Sequence, residues 1–329
     1  MRTSLQDLLA TGRPLLADGA TGTNYFRVGL ESGEPPEFWI TDQPERVVEL
    51  HRQFVEAGAD IILTNTFGCN RHRLKLHNAQ ARVRELASGA ARLARSVADA
   101  SDRPVVVAGS VGPTGELFEP LGALTHDEAV DAFAEQIEGL KEGGADVAWI
   151  ETMSAPEEMR AAAEAAIRVG MPYVCTMSFD TAGRTMMGLA PNTLGAQFAD
   201  IAEAPIAIGA NCGVGASDIL VSVLEMGAGR PIVCKGNCGI PKFEGTTITY
   251  SGTPELMAKY ARLAVDAGAR IVGGCCGTSP EHLQAMADAL AGYRAGPRPT
   301  VETIVATIGP LTNKAPSADS GSSGRRRRG

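Results

Sequence analysis

A chain of 329 residues holds one large domain or two ordinary ones, and its net charge of −8 gives no support for nucleic-acid binding. No segment is long and apolar enough to span a bilayer, and the opening "MRTSLQDLLATGR" lacks the apolar stretch and cleavage site of a secretory signal, so the expected location is the cytoplasm. Seven cysteines, an odd count spread over a large domain, are not a disulfide framework; in a reducing compartment they stay free, bind metal or react.

In chain order, eight short apolar runs alternate with helical patterns: "PLLADGA" (14–20), "DIILTNT" (60–66), "VVVAGS" (105–110), "VAWIET" (147–152), "YVCTMS" (173–178), "IAIGANC" (206–212), "IVCKGN" (232–237) and "RIVGGCC" (270–276). Each is rich in β-branched residues and apolar on both parities, as a strand buried on both faces reads. Between them, "PERVVELHRQFVEAG" sets Val47, Leu50 and Phe54 on one helix face. Thr125 with Glu128, and Ser154 with Glu157, have capping-box spacing, while Thr253 before Pro254 and Ser279 before Pro280 mark further helix starts. The phrases "EAGADIILTNT", "EGGADVAWIET" and "DAGARIVGGCC" repeat one device: a helix stops on glycine, the chain turns, and a strand follows. Residues 1–312 are therefore expected to form one (β/α)8 barrel, with a doubly wound sheet as the alternative. The tail 313–329, Ser/Gly-rich and ending in four arginines and a glycine, is expected to be disordered.

In such a barrel the carboxyl ends of the strands surround the active site. Cys212 ends the sixth run in "GANCG", and Cys275 and Cys276 end the eighth in "GGCCG", all flanked by glycines. Three thiolates with an open fourth position suit a catalytic zinc ion, each sulfur about 2.3 Å from it. Cys238, in the loop after the seventh run, is a competitor for the mouth; Cys234, Cys69 and Cys175 read as packed side chains. Spacing alone leaves zinc open against a redox or packing role.

"LLADGATGT", "LTNTFG", "GSVGPTGE", "IETMSAPEE", "GANCG" and "VGGCCGTSPEHL", in that order from about Leu15 to Leu290, resemble the zinc-dependent homocysteine S-methyltransferase family. That family includes betaine–homocysteine methyltransferases and the homocysteine module of cobalamin-dependent methionine synthase. The resemblance implies a (β/α)8 barrel, zinc on Cys212, Cys275 and Cys276, and L-homocysteine as the thiol that attacks a donor methyl group to form methionine. It implies that Asp18 and Glu151 hold the substrate's amino group; read from the residues alone, Asp18 is a turn residue before Gly19 and Glu151 a helix-capping anion. The amides of Gly19, Ala20 and Thr21 would meet the substrate carboxylate, with Thr66 a further contact.

The donor is where the chain departs from part of the family. Betaine users of this family enclose a quaternary ammonium in aromatic rings, but Gly68 and Thr152 stand where they carry tyrosines, and Trp39 is offset. The favoured donor is thus methylcobalamin carried by a separate corrinoid-binding protein, as in a split methionine synthase. The alternatives are betaine, dimethylsulfoniopropionate or S-methylmethionine as direct donors, or a non-catalytic zinc- or thiol-binding sensor.

Overall fold

Eight parallel strands form one sheet: β1 (Leu15–Leu16), β2 (Ile61–Leu63), β3 (Val106–Val111), β4 (Val147–Met153), β5 (Tyr173–Met177), β6 (Ala207–Cys212), β7 (Ile232–Gly236) and, beyond a hairpin of β8 (Pro241–Glu244) and β9 (Thr247–Tyr250), β10 (Ala269–Gly274). Their order is β1-β10-β7-β6-β5-β4-β3-β2. A parallel bridge between Ala17 and Ile61 joins the two ends, and the sheet closes into the expected barrel. This computed structural model describes residues 2–312 apart from 228, 240, 245 and 246; the tail 313–329 lies outside the described residues.

The closing seam is short, because β1 has two residues, and carboxylates reinforce it. Asp60 accepts the Leu16 N–H at 2.9 Å, and Asp18 accepts the Leu63 N–H at 2.7 Å. Backbone bonds from Asp60 N to Leu16 O and from Asp18 N to Ile61 O run beside them.

Side chains alternate across each strand. One parity, including Leu15, Ile61, Val106, Val174, Val233 and Ile271, fills the barrel, and Leu5 and Leu8 of the helix Leu5–Ala10 close this inner core. The other parity, including Leu16, Ile62, Val107, Cys175 and Cys234, packs outward against the helices. Each fully buried branched side chain contributes about 1.5–3 kcal/mol, so the two clusters, rather than any single contact, hold the frame.

The helix starts follow the capping residues with one exception. Thr125 and Glu128 form the reciprocal box before the helix His126–Gly143, and Thr253 caps Pro254–Asp266. Ser154, expected to cap with Glu157, does not: the N-cap is Ala155, without a side-chain bond. Pro156, pre-set for the first helical position, starts the helix one residue later than the serine requires. No described helix is long and apolar enough to cross a membrane.

Candidate active site

The inward parity stays apolar through the barrel and turns polar at its carboxyl end. Above Val106, Val147, Val174, Ala207, Val233 and Ile271, the same faces carry Ser110, Glu151, Thr176, Asn211, Lys235 and Cys275. These strand ends floor a mouth cavity of about 680 Å³, whose walls include Cys212, Cys275, Cys276, Glu151, Lys235 and Tyr250.

The three predicted thiols meet there. The sulfurs of Cys212, Cys275 and Cys276 lie within 4.8 Å of one another, one from the last residue of β6 and two from the turn directly after β10. Cys212 adopts φ +61°, in the left-handed region that costs a non-glycine residue energy. Asn237 ties the two segments: its Nδ2 donates to Gly213 O at 2.7 Å and its Oδ1 accepts the Cys276 N–H at 3.1 Å. Hydrogen bonds from Cys212 and Cys275 hold the Cys276 thiol below the ordinary cysteine range; bonds to the other two raise Cys212, and Cys275 is pulled down by Cys212 but raised overall by Cys276 and burial. Partly exposed to the cavity, this set fits a soft divalent cation with one side left open.

The remaining cysteines stay out of the cluster. Cys69, Cys175 and Cys234 are fully buried and pack as expected. Cys238, the competitor, is also fully buried, and its N–H bonds to Cys276 O from behind.

The two predicted carboxylates have different surroundings. Glu151 faces the cavity; Ser110 Oγ donates to its Oε1 at 2.5 Å, and burial raises its pKa to about 7 against the pull of Lys235. Asp18 is 1% exposed and is not part of the cavity wall. Lys235 Nζ donates to its Oδ1 at 2.8 Å, and Leu63 N–H occupies its Oδ2. Lys235 is itself 2% exposed and lies 6.0 Å from the centre of the Trp149 ring. Burial works against its charge, but Asp18 and Glu151 outweigh it and hold its pKa above the ordinary lysine value.

Gly19, Ala20, Thr21 and Thr66 all line the cavity. The Ala20 N–H is occupied by Thr278 O, and the Thr66 hydroxyl donates to Ser110 O. Gly19 has no room for a side chain: a Cβ would sit 2.6 Å from Thr278 O and 2.9 Å from the Phe54 ring.

Sequence reasoning missed four residues of the site: Lys235, Asn211, Asn237 and Tyr250. A lysine inside a strand that reads as buried on both faces was a usable signal, since an unpaired buried ammonium is costly. The asparagines act through partners on other strands, which no local pattern reveals. Trp39 is buried against Tyr25, with ring centres 4.9 Å apart, and does not line the cavity. Among the described residues, the rings of Phe26, Phe67 and Tyr250 line it, with the His77 imidazole.

With this geometry established, comparison with known proteins is specific. A family model described as homocysteine S-methyltransferase matches residues 15–290. Methionine synthase of Mycobacterium tuberculosis is 31% identical over 333 residues, covering 93% of this chain and 27% of that protein. Methionine synthase of Mycobacterium leprae is 31% identical over 325 residues, covering 92% and 26%. The chain thus spans about a quarter of the length of these curated relatives. Among solved structures, the metallated form of the homocysteine methyltransferase MmuM from Escherichia coli matches with a TM-score of 0.73 at 22% identity, over 86% of this chain and 99% of that one. Its oxidized form matches with 0.72 at 23%, over 86% and 98%. At such identity the likeness establishes the barrel fold.

Proposed function

This chain belongs to the homocysteine S-methyltransferase family, and we propose that it methylates the thiol of L-homocysteine to give methionine, with zinc held by Cys212, Cys275 and Cys276. The observation that carries this reading is the convergence of three sulfurs from two distant strand ends at a cavity that also presents Glu151. Bound there, zinc supplies a Lewis-acidic seat that keeps a thiol deprotonated at neutral pH while leaving it electron-rich.

The chain's own groups bind and orient the substrate. The Glu151 carboxylate accepts the α-ammonium, a charge-assisted bond stronger than a neutral one. The amides of Gly19 and Thr21 have no hydrogen-bond partner among the described residues and stand at the cavity wall for the carboxylate. With both ends of the amino acid fixed, the sulfur is aimed along the cavity axis at the donor methyl. As the sulfur–carbon bond forms, the bond from carbon to its carrier breaks, and the electron pair leaves with the carrier.

For the donor we favour a methylated corrinoid presented by another protein. Of the nine large apolar side chains left exposed among the described residues, all but Val301 lie in the segments that follow strand carboxyl ends, Leu76, Leu117, Leu121 and Met186 among them. Such an apolar rim suits a macromolecule seated over the mouth. A second reading, a small onium donor, is favoured by the Phe26, Phe67 and Tyr250 rings in the cavity wall.

The test is a donor panel. Zinc-loaded chain with L-homocysteine is expected to form methionine from a methylcorrinoid protein faster than from betaine, dimethylsulfoniopropionate or S-methylmethionine. Methionine from none of them, at full zinc occupancy, sinks the catalytic reading in favour of a zinc- or thiol-binding module.

A further inference from the structure

In the proposed site, homocysteine engages the thiol cluster, Glu151 and the amides of Gly19 and Thr21, and one buried acid of the mouth is left without a task. Glu37 lies in the 3-10 turn Pro36–Phe38, in the segment after β1, and lines the cavity while only 5% exposed. Its Oε1 accepts the Gly68 N–H at 2.6 Å, and Asn65 Nδ2 ties the same turn to the segment after β2 through Pro36 O at 2.7 Å. Gly68 has to be small, because a Cβ there would stand 2.9 Å from Oε1. Oε2 takes no hydrogen bond from another described residue, and the carboxyl forms no ion pair among them. Arg73 lines the same cavity, is exposed and unpaired among the described residues, and lies near enough to favour the charged form of Glu37 against burial. A buried carboxyl at a cavity wall without its own counter-charge is costly, and such groups gather at functional sites.

We propose that Glu37 and Arg73 form a hydrogen-bonding pair that reads a primary carboxamide on the rim of the methylated corrinoid. The inference rests on the corrinoid reading of the donor and names the chemistry by which the mouth recognises it. A corrin ring carries primary carboxamides around its edge, each with two N–H donors and one carbonyl acceptor. Glu37 Oε2 supplies an acceptor, and the Arg73 guanidinium supplies donors. The match holds in either state of Glu37: the carboxylate accepts an amide N–H, and the protonated carboxyl closes a two-bond ring with the same amide. Charge disfavours simpler occupants. A lone onium beside Glu37 meets Arg73 as a like charge, and a lone anion beside Arg73 meets Glu37 and Glu34. A neutral group that both donates and accepts meets neither penalty. A zwitterion such as betaine meets both charges and is the rival occupant. Glu37 is thus a specificity-determining residue for the donor rather than for homocysteine.

The experiment uses two free donors that lack the nucleotide: methylcobinamide, which keeps the primary carboxamides, and methylcobester, whose methyl esters accept hydrogen bonds but donate none. For methyl transfer to L-homocysteine by the zinc-loaded chain, kcat/KM is expected to be about tenfold or more higher with methylcobinamide, the worth of one hydrogen bond to a charged group. E37A is expected to cut that preference to about twofold, through KM with kcat held. E37Q, whose amide still accepts, is expected to restore it to within about threefold of the wild type. If E37A does not fold, E37M, which fills the same volume without an acceptor, is expected to give the same loss. Homocysteine affinity, measured by calorimetry, is expected to stay within about twofold in these variants, which a general loosening of the mouth would not allow. A preference kept in E37A or E37M overturns the inference and leaves the corrinoid reading standing. Betaine turnover that depends on Glu37 gives the pair to a zwitterion and overturns it as well. No methionine from either corrinoid fails the corrinoid reading itself, and this inference falls with it.

Discussion

Asn211 and Thr152 are joined by hydrogen bonds in both directions. Thr152 N–H donates to Asn211 Oδ1 at 2.8 Å, and Asn211 Nδ2 donates to Thr152 Oγ1 at 2.6 Å. Thr176 adds a third bond, from its hydroxyl to the same Oδ1 at 2.7 Å. Thr152 has φ +62°, unusual for a β-branched residue, and Cys212, next to Asn211, has φ +61°. One buried amide therefore holds the strained backbone beside Glu151, and it does so from the residue next to a cluster sulfur.

Asn211→Ala should accordingly affect both ends. Losing these bonds leaves buried donors unpaired, costing on the order of 1–3 kcal/mol, offset in part as the Thr152 backbone relaxes. A denaturant melt should show the loss of stability, and calorimetry should show weaker homocysteine binding in the same variant. A variant with native affinity and stability would show that the strand ends hold themselves.

The thiol cluster should be separable from the fold. The two apolar cores run through the barrel and its helices, and none of the three clustered cysteines belongs to either. Chelation, or Cys276→Ser, should abolish metal content and methyl transfer while leaving the far-ultraviolet circular dichroism unchanged. Asn237→Ala, which loosens both thiol-bearing segments, should weaken metal binding about 10- to 100-fold, the usual effect of an outer-shell partner. Competition with a chromogenic chelator measures it.

Acid sensitivity has a named source in His51. It is 2% exposed, its Nε2 has no hydrogen-bond partner among the described residues, and burial lowers its pKa to about 4. The unfolded chain protonates this ring near pH 6.5, while the folded chain holds it neutral until about pH 4. Between those values the unfolded state binds the extra proton, so stability falls as pH falls. Relative to His51→Gln, the wild type should lose about 3 kcal/mol between pH 6.5 and pH 4. Parallel urea titrations give the difference directly; a constant difference across that window would exclude His51.

The apolar rim should matter only to a large donor. Leu121 is 72% exposed, in the loop after β3. Leu121→Asp should leave turnover with free methylcobalamin within about twofold, as surface changes usually do. Turnover with a protein-bound methylcorrinoid should fall about tenfold or more, the effect of placing a charge in an apolar contact. Equal effects on both donors would remove the rim from the docking surface.

Why was so much of this architecture legible in sequence? Strands buried on both faces carry unbroken apolar runs, and each of the eight runs contains its strand within a residue or two. The runs put the clustered cysteines at strand ends, and so at the barrel mouth, but their joint role came from the family resemblance, since spacing alone left redox and packing roles open. The β8–β9 hairpin was not, because its polar, threonine-rich segment reads as loop and pairs only with itself. Lys235 is hidden inside "IVCKGN", because its apolar neighbours make the run read as a buried strand and nothing local names its partner Asp18. Ser154 misled because Pro156 outranks a capping hydroxyl in fixing a helix start.

The chain has two tryptophans, and both are buried. Trp149 lies beneath Lys235, inside the barrel, and its indole N–H has no hydrogen-bond partner among the described residues. Its emission therefore senses the electric field of the charges above it. With Trp39 replaced by phenylalanine, a single native fluorophore would report the arrival of an amino acid at the barrel mouth, making ligand entry visible in real time without any attached label.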